Sequence, residues 1–353
     1  MKLPTAKKRK IALIFSGGLG DTILFVPLLK ALKKKQFHIT CIFYSPDKSD
    51  CLLDEGLYDV KIHISGKIRF LLFAITHTGH FINIYINHLA KGKLIALAAS
   101  ICSYRVTQTG NTLLKNTKSR KHIPIETDFS DAEQNLRLLY NNQHARIKNI
   151  QDFYFEHPQY DSTVIEKYFA KSRPEYIVIQ VSSGNNNTPY KNWPMQNWLS
   201  LLSNLCDRYT AYSFVIIGDE SETVYAEAFE KTAKPNCRVL IGKTSIPELF
   251  SLLAYSKGYI GLDSGIMHMA VALKKKTLTL FGASNEKLYG YSKLDEINHR
   301  VIATSLSCRP CAAWKNANTS RVSDPGSCPD FACMTGINKM EVFTAAVNHF
   351  GLK

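Results

Sequence analysis

The sequence predicts an α/β protein of two successive domains, each a parallel sheet wrapped by helices. Three observations predict it. Short apolar runs alternate with amphipathic helical stretches along the chain. The alternation weakens over residues 142–175 and then restarts. Several strand ends pass into helices through glycine-containing turns. At 353 residues the chain is long enough for each domain to bury its own core. The expected division is 1–165, 166–335 and a C-terminal helix within 336–353. Two such sandwiches in series imply a cleft between them.

In order, a strand over 11–15 leads into the turn Gly17-Gly18-Leu19-Gly20-Asp21 and a helix running through Ala31 to Lys35. Pro27 either bends that helix or begins it. A strand over 39–44 completes a βαβ start. Further strands are expected at 61–64, 81–85 and 104–107, then a helix over 130–141. His157-Pro158 and Arg173-Pro174 bracket the weak stretch. The second half predicts strands at 176–181, 213–217, around 239–240, at 259–262 and at 277–281. Helices are expected at 195–208, 222–231, 246–255, 266–273 and 340–350.

The net charge of +15 is unevenly spread: residues 1–170 hold 24 Lys+Arg against 14 Asp+Glu, and 171–353 hold 20 against 15, so the halves carry +10 and +5. A basic surface attracts phosphate-rich partners, whether nucleic acid, an anionic membrane or an acidic glycolipid. The basic runs at Lys7 to Lys10, Lys33 to Lys35 and Lys274 to Lys276 lack the interleaved aromatics of a nucleic-acid platform, which argues against that partner. The apolar stretches at 11–15, 70–75 and 94–102 are too short for a signal peptide core or a spanning helix. A cytoplasmic protein with at most peripheral membrane contact is expected. Of the nine cysteines, Cys41, Cys51, Cys102, Cys206 and Cys237 fall among strand and helix patterns, as buried hydrophobes of a reducing compartment do. Cys308, Cys311, Cys328 and Cys333 cluster; free thiols, a redox-sensitive pair and a zinc site all fit that spacing, zinc least well.

Asp263-Ser264-Gly265-Ile266-Met267-His268 joins an apolar strand to a helix, so the first helical N–H groups point outward beside a histidine, an arrangement suited to a diphosphate. Asp263 serves there as a ligand group or caps the helix, and His268 is a ligand or a satisfied flank residue. Gly17, Gly18 and Gly20 allow positive φ and close approach of a ligand, though their spacing misses the dinucleotide fingerprint. Asp21 is either a catalytic carboxylate or a helix cap. Lys191, in Lys191-Asn192-Trp193-Pro194, faces a departing phosphate or solvent, while Trp193 and Pro194 either belong to the same site or pack the start of the next helix. Glu220 or Glu222, after Gly218-Asp219, receives ribose hydroxyls or caps. Phe281-Gly282-Ala283 offers backbone contacts or a plain turn.

Taken together, the Gly17 to Asp21 turn, Lys191-x-Trp193-Pro194, Gly218-Asp219-Glu220, Asp263-Ser264-Gly265-x-x-His268 and Phe281-Gly282-Ala283 resemble glycosyltransferase family 9, the heptosyltransferases of lipopolysaccharide core assembly. The likeness runs from about Ile11 to Cys333 and includes the cysteine-rich segment. It implies a GT-B fold, two Rossmann-like domains with parallel sheets facing a central cleft, the first receiving the acceptor and the second the nucleotide-sugar donor, commonly ADP-heptose. By this resemblance Asp21 is the general base and Lys191 stabilises the leaving diphosphate. Gly218 with Glu222 or Glu220 binds ribose, while Asp263, Ser264, Gly265, His268 and Gly282 hold donor sugar and phosphates. Gly17, Gly18 and Gly20 lie on the acceptor side. The reaction inverts the anomeric centre. No Asp-x-Asp occurs in the chain, and no divalent ion or other cofactor is expected. The partners are a nucleotide sugar, a lipopolysaccharide core acceptor and the anionic inner face of the inner membrane. A transferase using another nucleotide sugar, or a nucleotide-binding oxidoreductase, are the alternatives.

Overall fold

The structure is a computed structural model that describes residues 10–44, 53, 55–86, 93–109, 120–126, 128–140, 145–156, 158–169, 174–183, 188–311 and 325–353. Cys51, most of the basic opening, the asparagine-rich loop after Gly184 and the stretch from Trp314 lie outside these residues. So do His157 and Arg173.

Two compact units emerge, Met1–Pro158 and Gln159–Lys353. The first contains β1 (Lys10–Phe15), α1 (Leu19–Ile23), α2 (Val26–Lys34), β2 (His38–Phe43), β3 (Val60–His63), α3 (Lys67–Thr76), β4 (Phe81–Ile86), α4 (Lys93–Cys102), β5 (Ser103–Thr109), β6 (Arg120–Ile123) and α5 (Asp131–Leu136). Every recorded strand pair is parallel, in the order β3-β2-β1-β4-β5-β6. A parallel sheet is covered on both faces, which is why β1 reads as an unbroken apolar run. Ala12 and Ile14 face a cluster with Phe70 and Ala74 of α3 and Ile95, Ala98 and Cys102 of α4. Phe15 points the other way, stacking on Phe43 at 4.6 Å and tilting against Phe25 at the same distance.

Pro27 resolves as a helix start. The chain leaves α1 through Leu24 and Phe25, and Pro27 sits in the first turn of α2, where its missing N–H and fixed φ do no harm. The helix expected over 130–141 stops at Leu136. Just beyond it, the buried Arg137 turns its guanidinium back to Glu126 and the Pro124 carbonyl, each at 2.6 Å.

The second unit contains α6 (Thr163–Phe169), β7 (Glu175–Gln180), α7 (Met195–Arg208), β8 (Tyr212–Ile217), α8 (Thr223–Thr232), β9 (Cys237–Val239), α9 (Ile246–Tyr255), β10 (Gly258–Leu262), α10 (Gly265–Ala272), β11 (Lys276–Phe281), α11 (Glu286–Tyr289), β12 (His299–Ala303), α12 (Ala332–Thr335) and α13 (Lys339–Phe350). Its sheet order is β9-β8-β7-β10-β11-β12, the same doubly wound order as the first unit when read from its own first strand. On α7, Trp198, Leu201, Leu202 and Leu205 repeat at helical spacing and enter one core with Phe214, Ile260 and Leu280 of the sheet and Val342 and Phe350 of α13. The C-terminal helix thus belongs to the second unit's core. The division falls at Pro158, earlier than residue 165, because α6 packs on α9.

Candidate functional site

In a doubly wound sheet, ligands gather where the strand order reverses, beyond the carboxyl ends of the strands. In the first unit that point lies after β1 and β4, and β1 delivers the glycine turn to it. The Asp21 carboxylate, in the first turn of α1, accepts the Gly18 N–H through Oδ2 at 2.8 Å. A Cβ on Gly17 would lie 2.2 Å from that oxygen, so the absent side chain makes room for the carboxylate. The glycines act here by space rather than by positive φ: Gly17, Gly18 and Gly20 are absent from the left-handed residues. Gly18 is the N-cap of α1, and Asp21, the third helical residue, caps it by accepting the Gly18 N–H, so the helix-cap reading of Asp21 holds in that form.

The second unit repeats the device after β8. Glu222 Oε2 accepts the Asp219 N–H at 2.7 Å, and a Cβ on Gly218 would meet it at 2.3 Å. Glu222 is buried at the head of α8, whereas Glu220 is exposed, so the two carboxylates that the sequence leaves as equals have different surroundings.

The order reversal of the second sheet lies between β7 and β10, and there the predicted residues converge. The Lys191 ammonium lies 2.8 Å from Asp263 Oδ2 and 3.2 Å from the Asp263 carbonyl, with the two side chains 14% and 7% exposed. Lys191 is therefore a paired, half-buried cation and not a solvated loop lysine. Ser284, in the turn after β11, donates its hydroxyl to the same carboxylate oxygen. Burial pushes the Asp263 carboxyl pKa up, but the Lys191 charge, the hydrogen bonds from Lys191 and Ser284, and the nearby His268 outweigh it and hold the group below its ordinary value of 3.8.

Asp263 does not cap α10. Ser264 does, its Oγ accepting the Ile266 N–H at 3.2 Å. The same hydroxyl donates to Gln180 Oε1 at 2.6 Å, as does the buried Tyr259 hydroxyl. The Gln180 amide continues to the Ser182 carbonyl at 2.8 Å. This buried chain ties the end of β7 to the turn after β10 and fixes the direction of the first α10 N–H groups. His268, one turn into α10, is buried with Nδ1 2.6 Å from the Tyr291 hydroxyl. Burial, with the Asp263 charge adding to it, pushes the Tyr291 phenol up, so Tyr291 stays a neutral hydroxyl.

Trp193 packs, as one of its two readings had it: it is fully buried, edge-on to Trp198 at 5.0 Å, and donates its ring N–H to the Ile337 carbonyl at 3.2 Å. That anchor places Lys191 two residues upstream. Gly282 is another close approach, where a Cβ would meet Met334 Sδ at 2.6 Å and the Tyr190 carbonyl at 2.8 Å. Arg309 holds the turn after Gly282. Its guanidinium donates to the carbonyls of Gly282 and, at 2.7 Å, of Thr304, and pairs with Glu286 at 3.0 Å. Arg309 lies inside Cys308-x2-Cys311, so that segment is fastened to the site, with Cys311 N–H donating to the Ala283 carbonyl at 2.7 Å. Cys308, Cys311, Cys328 and Cys333 are free and half-buried. Burial pushes the Cys333 thiol up, and Cys328 and Cys308 are near enough to add to that shift. Among the described residues no three His, Cys, Asp or Glu groups converge on a metal position.

Sequence reasoning missed Gln180, Tyr259, Ser284, Tyr291 and Arg309. Gln180 alone left a signal, a polar residue closing an apolar strand.

The family model described as glycosyltransferase family 9 (heptosyltransferase) matches residues 110–320, more than half of the chain. A stretch of 101 residues is 31% identical to lipopolysaccharide heptosyltransferase 2 of Escherichia coli K12; it covers 28% of this chain and 28% of that curated relative, so the chain spans little more than a quarter of the relative's length. Among solved structures, the glycosyl transferase family 9 protein of Veillonella parvula superposes with a TM-score of 0.73 at 16% identity, covering 98% of both chains. The E. coli ADP-heptose lps heptosyltransferase II superposes at 0.70 and 18% identity, covering 97% of this chain and 98% of that one. These likenesses give the GT-B fold, and the match over residues 110–320 establishes that the chain belongs to glycosyltransferase family 9, the heptosyltransferase family.

Proposed function

We propose that the chain transfers heptose from ADP-heptose to a hydroxyl of the lipopolysaccharide core oligosaccharide, inverting the anomeric carbon without a divalent ion. One observation carries the reading: the Lys191 ammonium sits 2.8 Å from Asp263 at the head of α10, where the strand order of the second sheet reverses. A fixed cation beside the positive end of a helix meets the charge that develops on a leaving diphosphate. In the proposed step Asp21 takes the proton from the acceptor hydroxyl, whose oxygen forms the new bond to the anomeric carbon. The bond from that carbon to the diphosphate oxygen breaks, and ADP leaves with the electron pair, facing Lys191 and the α10 N-terminus. Glu222 or Glu220, beside Gly218, receives the ribose hydroxyls. Asp263, Ser264, Gly265 and His268 hold heptose and phosphates, with the backbone at Gly282 closing the turn. Gly17, Gly18 and Gly20 let the acceptor approach Asp21. The relatives' names, which specify lipopolysaccharide and ADP-heptose, support the choice of substrates. The protein acts in the cytoplasm, peripherally at the inner face of the inner membrane, where a phosphorylated lipid acceptor presents itself. Among the described residues no helix is long and apolar enough to cross a membrane.

Calorimetric titration in EDTA with ADP, UDP, GDP, ADP-heptose and NAD tests this. Selective binding of ADP and ADP-heptose is expected. Preference for UDP or GDP would replace the donor, and binding of NAD alone, or of nothing, would overturn the proposal.

A further inference from the structure

Helix α3 carries apolar side chains on two opposite faces. Phe70 and Ala74 are buried against the first sheet. On the outside, Ile68, Leu72 and Ile75 recur at spacings of four and three and are 78%, 57% and 56% exposed. Helix α4 packs beside α3 over the same core cluster, and its outward Leu97 is 52% exposed. Single exposed apolar residues are ordinary, but a helical stripe of three with a fourth on the neighbouring helix is not.

The stretch of sequence that contains this stripe is one-sided in charge. Residues 60–125, which include α3, α4 and the strands β3 to β6, contain ten Lys+Arg and no Asp or Glu. That one stretch holds an excess as large as the +10 of the whole first half. Lys67 and Arg69 flank Ile68 on α3 and are exposed, and neither forms an ion pair with a described residue.

We infer that the outer face of α3, with Leu97 of α4, docks this protein onto an anionic lipid bilayer: Ile68, Leu72 and Ile75 enter the interfacial region and Lys67 and Arg69 meet lipid phosphates. An amphipathic helix lying in the membrane plane needs both parts, an apolar stripe to bury and cations for the headgroups. Charge complementarity selects the occupant. A second copy of this chain would set the exposed Lys67 and Arg69 of one α3 against those of the other in an isologous contact, while an anionic bilayer offers the opposite charge. Helix α3 is already packed through Phe70 and Ala74, so docking requires no unfolding. The inference rests on the membrane-borne acceptor proposed above.

Co-sedimentation of the purified full chain with phosphatidylglycerol vesicles and with phosphatidylcholine vesicles, without nucleotide sugar, tests it. The expected result is binding to the anionic vesicles, weakened about tenfold or more both by Leu72→Glu and by the pair Lys67→Glu, Arg69→Glu, with unchanged thermal midpoints. Turnover on a delipidated core oligosaccharide should be the same in all variants. Loss of that turnover in the parent, with vesicle binding intact, would sink the transferase reading and spare the docking face. Equal binding to both vesicle types, or full binding by Leu72→Glu, would overturn the inference. So would a concentration-dependent dimer that Leu72→Glu dissolves in a chain that ignores vesicles, and the face would then be assigned to self-association.

Discussion

Replacing Lys191 with Met separates its stabilising role from its role toward a ligand. Two unit charges about 3 Å apart attract by roughly 6 kcal/mol at an effective dielectric of about 20, and desolvation takes back part of that. What remains after Lys191→Met is a carboxylate, Asp263, that is 7% exposed and keeps, among the described residues, Ser284 and His268 as support. Removing one partner of a buried pair costs about 3–5 kcal/mol, and the remaining support points to the lower end, about 3 kcal/mol. For a domain of this size that corresponds to a fall in thermal midpoint of about 6–12 °C. The pH dependence gives a second readout. In the parent the folded Asp263 pKa is depressed, so its contribution is complete above 3.8 and is lost only as pH falls through the lower folded value. Without Lys191, burial loses its largest opponent and the folded value is expected to rise above 3.8, so the variant's deficit shrinks as pH falls toward that value. Adding Asp263→Asn should recover about 2 kcal/mol in a double-mutant cycle. Differential scanning calorimetry across pH measures all of this. A Lys191→Met protein as stable as its parent, or one whose deficit is the same at every pH, would refute the reasoning.

Asp21→Asn keeps a side-chain oxygen for the Gly18 N–H and is expected to lower kcat by about 10²–10⁴ while leaving ADP affinity within twofold or so, by single-turnover assay and calorimetry. Gly17→Ala forces the Asp21 carboxylate off that N–H, since the new Cβ would stand 2.2 Å from Oδ2; chemical denaturation should show a loss of about 1–3 kcal/mol together with reduced turnover. Tyr291→Phe deletes the hydroxyl at His268 Nδ1 and is expected to weaken ADP binding about tenfold with little change in KM for the acceptor. Unaltered ADP affinity would remove His268 from the donor site.

Buried elements were the most legible ones. The helices expected at 195–208 and 246–255 coincide with α7 and α9, because Trp198 to Leu205 and Leu249 to Leu253 each combine strong periodicity with a clear start. β6 and β12 were missed: both are edge strands, and Arg120-Lys121-His122 and His299-Arg300 interrupt the apolar run that marks a central strand, although His299 itself is buried. α3 and α4 drew notice only as apolar stretches, since exposed Ile68, Leu72 and Leu97 blur the periodicity that marks a half-buried helix. At the site, turns were readable because glycine and helix starts are local signals. The Lys191–Asp263 pair was not, since it joins residues 72 positions apart. The Gln180, Tyr259 and Ser264 chain and the Arg309 clasp are likewise products of strand order.

The shared sheet order has a consequence for how the chain acquires its shape during synthesis. In both sheets the earliest strand to emerge is central: β1 ends up between β2 and β4, and β7 between β8 and β10. No adjacent pair can close as a hairpin, because each contact waits for a crossover to be completed. Ile11 finds Ile39 first and Asn83 only later, so one flank of the nascent sheet stays open while the ribosome adds the intervening residues. The second unit repeats the wait, with Ile177 idle on one side until Gly258 appears. A pause in translation between those points would hold an uncapped, apolar strand edge in the open, and those windows are where this enzyme would most need a chaperone.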